Sequence, residues 1–488
     1  MNLYDLSLSQ AAQLLAQKQI SSLELTKAVL ARQEETEPSL NCYITVTPDL
    51  ALDQARRADE RRAQGKATPL TGIPLSLKDV INTQGIQTTA ASRMLQNFTP
   101  PYDATVTRRL LAAGAVLTGK TNADEFAMGS TTETSYFGPT RNPWDLKAFP
   151  GGSSGGSAAS LAAGSCLGSI GTDTGGSIRQ PASHCGIVGL KPTYGLISRY
   201  GIIAYASSLD QAGPMGRSVA DVALLLQILA GFDRKDSTSI PCEIPDYNAA
   251  LTRQVKGLRL GVPREFFVSG LDEEVQAAVE RGLALLAGQG VELVPISLPH
   301  TQYFISTYYI IATAEASSNL ARYEGVKYGY SAPRQGANLE ESYLNTRGQG
   351  FGQEVIRRIM LGTYVLSSGY YDAYYAKASQ ARTLVIEDFH QAFRQVDAIA
   401  APVAPHPALD LGQAGADPLT IYLRDIYTIP CNLTGLPGMS IPAGFSSQGR
   451  PIGLQLLAPR LRENTLLSLG AEFQRNSDFH QQRPVSQE

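Results

Sequence analysis

Gly151-Gly152-Ser153-Ser154-Gly155-Gly156-Ser157 and Gly171-Thr172-Asp173-Thr174-Gly175-Gly176-Ser177 lie close together within Phe149–Gly201, between apolar, foldable flanks. Glycine lets backbone amides approach a ligand closely, and a run of free N–H groups cradles an anion or an oxyanion. Serine becomes a nucleophile once a neighbouring group takes its proton. The stretch therefore reads as an active site. Upstream, the run Gly72-Ile73-Pro74-Leu75-Ser76-Leu77-Lys78-Asp79-Val80 has strand length and carries one lysine, Lys78.

Outward from this centre, helices and strands alternate. Ser7-Leu8-Ser9-Gln10 and Ser21-Ser22-Leu23-Glu24 have capping-box spacing and open two amphipathic helices, the second predicted to stop at Pro38. A polar helix over about Leu50 to Gln64 follows, then helical spacing over Thr105–Ala113 and a strand at Ala115–Leu117. Ser157–Leu167 reads as a small-residue helix that packs on a sheet. Leu258–Leu298 reads as strand, helix, strand, and Met439–Ala443 with Ile452–Leu457 as a strand pair. This order predicts an α/β fold: a single large domain with a mixed, mostly parallel twisted sheet and helices on both faces. The domain spans residues 1–488, with a helical N-terminal segment over 1–65 and a catalytic core over 72–201.

Composition narrows the function. A chain of 488 residues, 43% hydrophobic and 17% charged, describes a well-buried globular protein, and a net charge of −3 argues against a nucleic-acid grip by this chain alone. Five scattered cysteines read as reduced thiols of a cytoplasmic protein. The N-terminus lacks a basic and apolar leader pattern, and Val219–Phe232, broken by Asp221 and Gln227, reads as a core helix and not as a membrane span. No HxxxH or CxxC pair offers a metal site.

Three motif matches compete for the chemistry. Gly114–Thr121 fits GxxxxGK[ST], but a helix precedes it and its middle is apolar and β-branched, as in a strand, so the phosphate-loop geometry is missing. Asp173-Thr174-Gly175 resembles half of an aspartic-protease site, yet no second copy exists to share the proton. Gly151–Gly155 matches the GxSxG elbow, which would make Ser153 a nucleophile with a histidine base downstream. His184 reads as structural, and residues 142–150 before the elbow read as loop. Between Tyr303 and Tyr375 tyrosines are dense and could line a pocket or a partner surface.

Lys78, the two glycine–serine runs, Ile178–Ala182 and Cys185–Thr193 together resemble the amidase signature family over most of the chain. The resemblance implies that family's fold and a Ser–cis-Ser–Lys triad, with Ser177 as nucleophile, Ser153 as bridging serine after a cis peptide, and Lys78 as base. It also implies an oxyanion hole from the amides of Thr174, Gly175, Gly176 and Ser177. The chemistry is coherent. A lysine is a base only when neutral, and lowering its pKa by about three pH units, from about 10.4 toward neutrality, takes about 4 kcal/mol, within reach of burial in an apolar strand. Asp79, next along the strand, is expected on the opposite face.

Within that family, Ala123–Ser130, Tyr194–Gly201, Leu209–Gln211, Arg357–Gly362 and Asp425–Pro430 resemble the A subunits of tRNA-dependent amidotransferases. What this implies is a glutaminase whose ammonia passes to a B subunit. There Glu-tRNA(Gln) or Asp-tRNA(Asn) is amidated with ATP and magnesium, while a C subunit fastens the two; this chain itself would need no cofactor. The implied substrate pocket comprises Gly129, Ser130, Tyr309, Arg358 for the α-carboxylate and Asp425 for the α-ammonium, with Arg357 left as the neighbouring alternative to Arg358. A stand-alone amidase for a small uncharged amide would share the triad without the paired charges.

Overall fold

Side chains alternate along Pro74–Lys78, the strand that carries the lysine. Leu75 and Leu77 join the main apolar cluster, whereas Ser76 turns the other way to bond Ser169 at 2.9 Å. The computed structural model describes residues 2–267, 270–333, 338–413 and 422–484. Among them, eleven strands share one sheet: β1 (Tyr43–Val46), β2 (Pro74–Lys78), β3 (Val116–Thr121), β4 (Gly168–Asp173), β5 (Val188–Lys191), β6 (Gln211–Gly216), β7 (Arg259–Pro263), β8 (Glu292–Ile296), β9 (Ala398–Pro402), β10 (Gly438–Phe445) and β11 (Pro451–Leu457). Their spatial order is β1-β3-β2-β4-β6-β5-β10-β11-β9-β7-β8.

Both faces are covered by helices. On β6, Ala212 lies in the cluster that holds Leu225 and Leu226 of the helix Val219–Leu229. Met215 instead packs with Ala158 and Ala159 of the helix Gly155–Ala163. Small residues let that second helix lie close, and every one of its residues is buried. Val219–Leu229 is a core helix, and among the described residues no helix is long and apolar enough to cross a membrane.

The sheet is mixed, as expected, but parallel pairing does not dominate: of ten described strand pairings, four are parallel and six antiparallel. Parallel pairs occur at the flanks, where a helix crosses between strands: Thr105–Ala112 between β2 and β3, and Glu273–Gly288 between β7 and β8. The centre is antiparallel. There β10 and β11 form a hairpin closed by Ser446 N–H donating to Arg450 O, a connection too short for a parallel crossover. The N-terminal segment also departs from expectation. It contains β1, which pairs antiparallel with β3, and the second helix runs past Pro38 to Leu40, because a proline in the last turn removes only one N–H. Both capping boxes form.

Gly114–Thr121 does not make a phosphate loop; its last six residues, Val116–Thr121, are β3. Lys120 is fully buried, bonds Thr88 Oγ1 at 2.6 Å and lies 3.3 Å from Asp79. Burial pushes this lysine down and Asp79 up, and their contact opposes both shifts. Lys120→Met strands a buried carboxylate and is expected to cost about 3–5 kcal/mol in urea denaturation of the full chain. Lys120→Met combined with Asp79→Asn should recover part of that loss.

Candidate active site

Lys78 is the last residue of β2, 0% exposed, with its Nζ 2.7 Å from Ser153 Oγ and 3.0 Å from Thr172 Oγ1. Asp79 points away, to Thr89 and Lys120. The lysine thus touches hydroxyls and no carboxylate. Burial pushes its pKa down to about 7, although the more distant Asp124, Asp173 and Asp210 pull the other way. A neutral amine here can accept a proton from Ser153. Thr172, the second hydroxyl, is not among the residues that sequence reasoning singles out. Its one signal there is its place inside the Gly171–Ser177 run.

Ser153 follows a cis peptide bond from Gly152. Its loop is held on three sides: Gly152 N–H donates to Gln180 Oε1 at 2.9 Å, Thr132 Oγ1 donates to Gly151 O at 2.8 Å, and Asp124 N–H donates to Ser153 O at 3.2 Å. Ser154 N–H donates to Ser177 O at 3.2 Å, which ties the two glycine–serine runs together. Ser177 is 7% exposed while Lys78 and Ser153 are 0%, so of the three residues only Ser177 keeps accessible surface.

The Thr174–Ser177 turn sits at the end of β4 and is shaped by Asp173. That carboxylate accepts from Gly176 N–H at 2.9 Å and Ile178 N–H at 3.2 Å. Gly176 N–H is therefore engaged, and among the described residues the amides of Thr174, Gly175 and Ser177 have no protein acceptor. Those three are the donors left for an oxyanion. Glycine is required at 175 and 176. A Cβ at 175 would meet Tyr308 Oη at 2.5 Å, one at 176 would collide with Thr428 Oγ1, and Gly176 has φ +138°. Although burial alone would raise it, Arg179 holds the Asp173 carboxyl down at about 2. The Arg179 guanidinium is completely buried and also donates to Thr428 O, Gln455 Oε1 and Asn432 Oδ1.

Two charges flank Tyr309. Arg358, buried, lies 5.5 Å from its ring, also within cation–π reach of Tyr205 and Tyr422, and donates to Tyr205 Oη at 2.7 Å and Glu354 at 2.8 Å. Half-buried Asp425 is at 3.5 Å from Tyr309 Oη, the outer limit of a hydrogen bond, and burial lifts its pKa to about 7 against Arg358 and Arg424. Arg357 is on the outer face, ion-paired to Glu354. Glu354 has no distinctive mark in the sequence, because it reads as an ordinary helical partner to both arginines. Gly129 and Ser130 sit in the loop folded around Asp124, with Ser130 buried. The tyrosine-rich stretch divides. Tyr308 and Tyr309 face inward, while Tyr364, Tyr370, Tyr371 and Tyr374 are exposed. His184 is buried against Phe149, and burial pushes its pKa down to about 3, so it stays neutral and structural.

An Amidase family profile matches residues 24–467. The chain is 56% identical over 99% of its length, and 99% of the relative's, to the A subunit of glutamyl-tRNA(Gln) amidotransferase from Geotalea daltonii. Among solved structures it resembles the A subunit of the same enzyme from Thermotoga maritima, with a TM-score of 0.81, 40% identity and 98% and 96% of the two chains covered. It also resembles the peptide amidase PAM bound to the competitive inhibitor chymostatin, with a TM-score of 0.84, 32% identity and 98% and 99% covered.

If Lys78, neutral above about 7 and protonated below, acts as the base, the serine gains reactivity as pH rises. The rate at which an uncharged sulfonyl fluoride modifies Ser177 should climb about tenfold per pH unit below 7 and level off above it. In Lys78→Ala the profile should be slow and flat.

Proposed function

The chain belongs to the amidase family, and on that premise we propose that it is the glutamine-hydrolysing component, the A subunit, of a tRNA-dependent amidotransferase. The observation that carries this reading is that Arg358 and Asp425 meet the same tyrosine, Tyr309. A buried cation and a carboxylate on one ring suit a zwitterion such as free glutamine, with its α-carboxylate at Arg358 and its α-ammonium at Asp425. A pocket for an uncharged amide has no use for the pair. Full-length identity to chains that bear the name of this amidotransferase component supports the same reading.

In the proposed reaction, Lys78 takes the Ser153 proton as Ser153 takes that of Ser177, and Ser177 Oγ attacks the side-chain carbonyl of glutamine. The free amides of Thr174, Gly175 and Ser177 receive the oxyanion. The proton returns through Ser153 to the leaving nitrogen and ammonia departs. Water, deprotonated by the same relay, then cleaves the acyl-enzyme to glutamate. The ammonia passes to a B subunit that amidates misacylated tRNA with ATP and magnesium, a C subunit fastening the assembly in the cytoplasm. The alternative, a stand-alone amidase of the same family, keeps Lys78, Ser153 and Ser177 but assigns no role to Arg358 and Asp425.

In the assembled complex, Ser177→Ala should abolish glutamine-driven amidation while added ammonium still supports it; a retained glutaminase rate would overturn the assignment. For the parent, log kcat/KM for glutamine should rise with a slope approaching two below pH 7, because Lys78 must be neutral and Asp425 ionised, and both titrate at about 7. Asp425→Asn should bring the slope to one and raise KM. A slope of one in both proteins would favour the uncharged-amide reading.

A further inference from the structure

The helix Gln353–Leu366, which carries Arg358, begins without the means to cap itself. Its N-cap is Gly352, which has no side chain, and its third residue is Val355, which cannot reach back to the cap amide. Four other helices meet this need locally with a capping box, Ser7 with Gln10, Ser21 with Glu24, Ser218 with Asp221 and Asn338 with Glu341. Here the acceptor comes from a distant loop: Gly352 N–H donates to Glu125 Oε2 at 2.8 Å. A Cβ on Gly352 would collide with that oxygen, so glycine at the cap leaves room for the carboxylate. Glu125 is 2% exposed, and its other oxygen accepts from Ser92 Oγ at 2.5 Å. A carboxylate at this end also suits the helix dipole.

The residues on either side of Glu125 extend the link. Asp124 N–H donates to Ser153 O, and Asp124 Oδ2 accepts from Thr132 N–H at 3.0 Å, whose hydroxyl in turn bonds Gly151 O and Gly155 N–H. Phe126 packs on Phe351 and Tyr323, with ring centroids 5.6 and 5.0 Å away. Three consecutive residues thus grip the serine loop with the first and the start of the Arg358 helix with the second and third.

The geometry points to Glu125 as a positioning residue that fixes the spacing between the Ser153–Ser177 centre and Arg358, and thereby selects the length of the amide side chain, glutamine over asparagine. This rests on the glutaminase reading of Arg358. Burial lifts the Glu125 carboxyl to about 7, and either protonation state can accept from Gly352. Glutamine at 125 retains an acceptor for that amide, whereas alanine does not.

In the assembled complex, Glu125→Ala should raise KM for glutamine about tenfold or more with kcat nearly unchanged, and should narrow the glutamine-to-asparagine ratio of kcat/KM by a similar factor. Glu125→Gln should recover most of both. Labelling of Ser177 by an uncharged sulfonyl fluoride should match the parent in either variant. An unchanged KM, a labelling rate that falls with turnover, or a Glu125→Gln protein as impaired as Glu125→Ala would each overturn the proposal. Hydrogen exchange gives a readout that needs no glutamine activity. Amides of residues 351–357 should exchange about tenfold faster in Glu125→Ala, with those of 155–163 unchanged. Unaltered exchange there overturns the clamp itself. Absence of glutaminase activity in the parent, with faster exchange in the variant, would instead overturn the function assigned to the pocket.

Discussion

The ion pair of Asp173 and Arg179, wholly buried, is the contact on which the site's geometry rests. Asp173 shapes the turn that bears Ser177 by taking the amides of Gly176 and Ile178. Arg179 spends its remaining donors on Thr428, Asn432 and Gln455, which lie on the segment after Asp425 and on β11. Thr428 completes the circuit, donating to Gly175 O at 2.6 Å and, through its own amide, to Asp425 O. A buried charge pair is poor evidence of stability unless its remaining groups are satisfied. Here the Arg179–Asp173 contact is surrounded by polar partners, and what they hold in common is the relation between the nucleophile's turn and a proposed substrate anchor.

Two lysines on neighbouring strands show how the fold separates chemistry from structure. Lys78 on β2 and Lys120 on β3 are equally buried. Lys120 meets a carboxylate at 3.3 Å, which opposes the loss of its charge. Lys78 meets only Ser153 and Thr172, while Asp124, Asp173 and Asp210 act from farther away. At these distances the desolvation cost outweighs the attraction, and the amine titrates near neutrality. One strand position, with Asp79 turned to the far face, decides which lysine is left without a carboxylate partner and is the one proposed as base.

Lys78, Ser153 and the glycine–serine turns were legible in the sequence because their chemistry is local: glycine where backbone must pass close to a side chain, serine where a hydroxyl is wanted, lysine in an apolar strand. Arg358 and Asp425 were singled out through family likeness, and the structure places Arg358 inside and Arg357 on the outer face. Direction of pairing in the central strands was not legible. β4 and β6, with sequences GSIGTD and QAGPMG, carry few β-branched residues and are not among the predicted strands, because their small residues serve close packing around the site and not strand propensity. Thr172 and Glu125 stay hidden for a related reason: their partners, Lys78 and Gly352, are distant in sequence and are set by tertiary placement alone.

The groups proposed for bond-breaking lie on β2, the Gly151–Ser154 loop and the turn after β4, and are cross-tied by Asp173, Arg179 and Asp124. Of the groups proposed for substrate choice, Tyr309, Arg358 and Asp425 lie elsewhere, on the helices Phe304–Leu320 and Gln353–Leu366 and on the segment after the described residue Tyr422. The fold is shared with the peptide amidase PAM, and one fold can carry different activities when the elements over its site differ. Such an arrangement works only if the outer elements are held in register with the inner ones. Thr428 bridges them on one side through Gly175 and Asp425; Glu125 bridges them on the other through Gly352. In the proposed pocket an amino acid held by both of its α-charges reaches the serine at one distance only, so the difference of one methylene between glutamine and asparagine becomes a difference in where the carbonyl lies relative to Ser177.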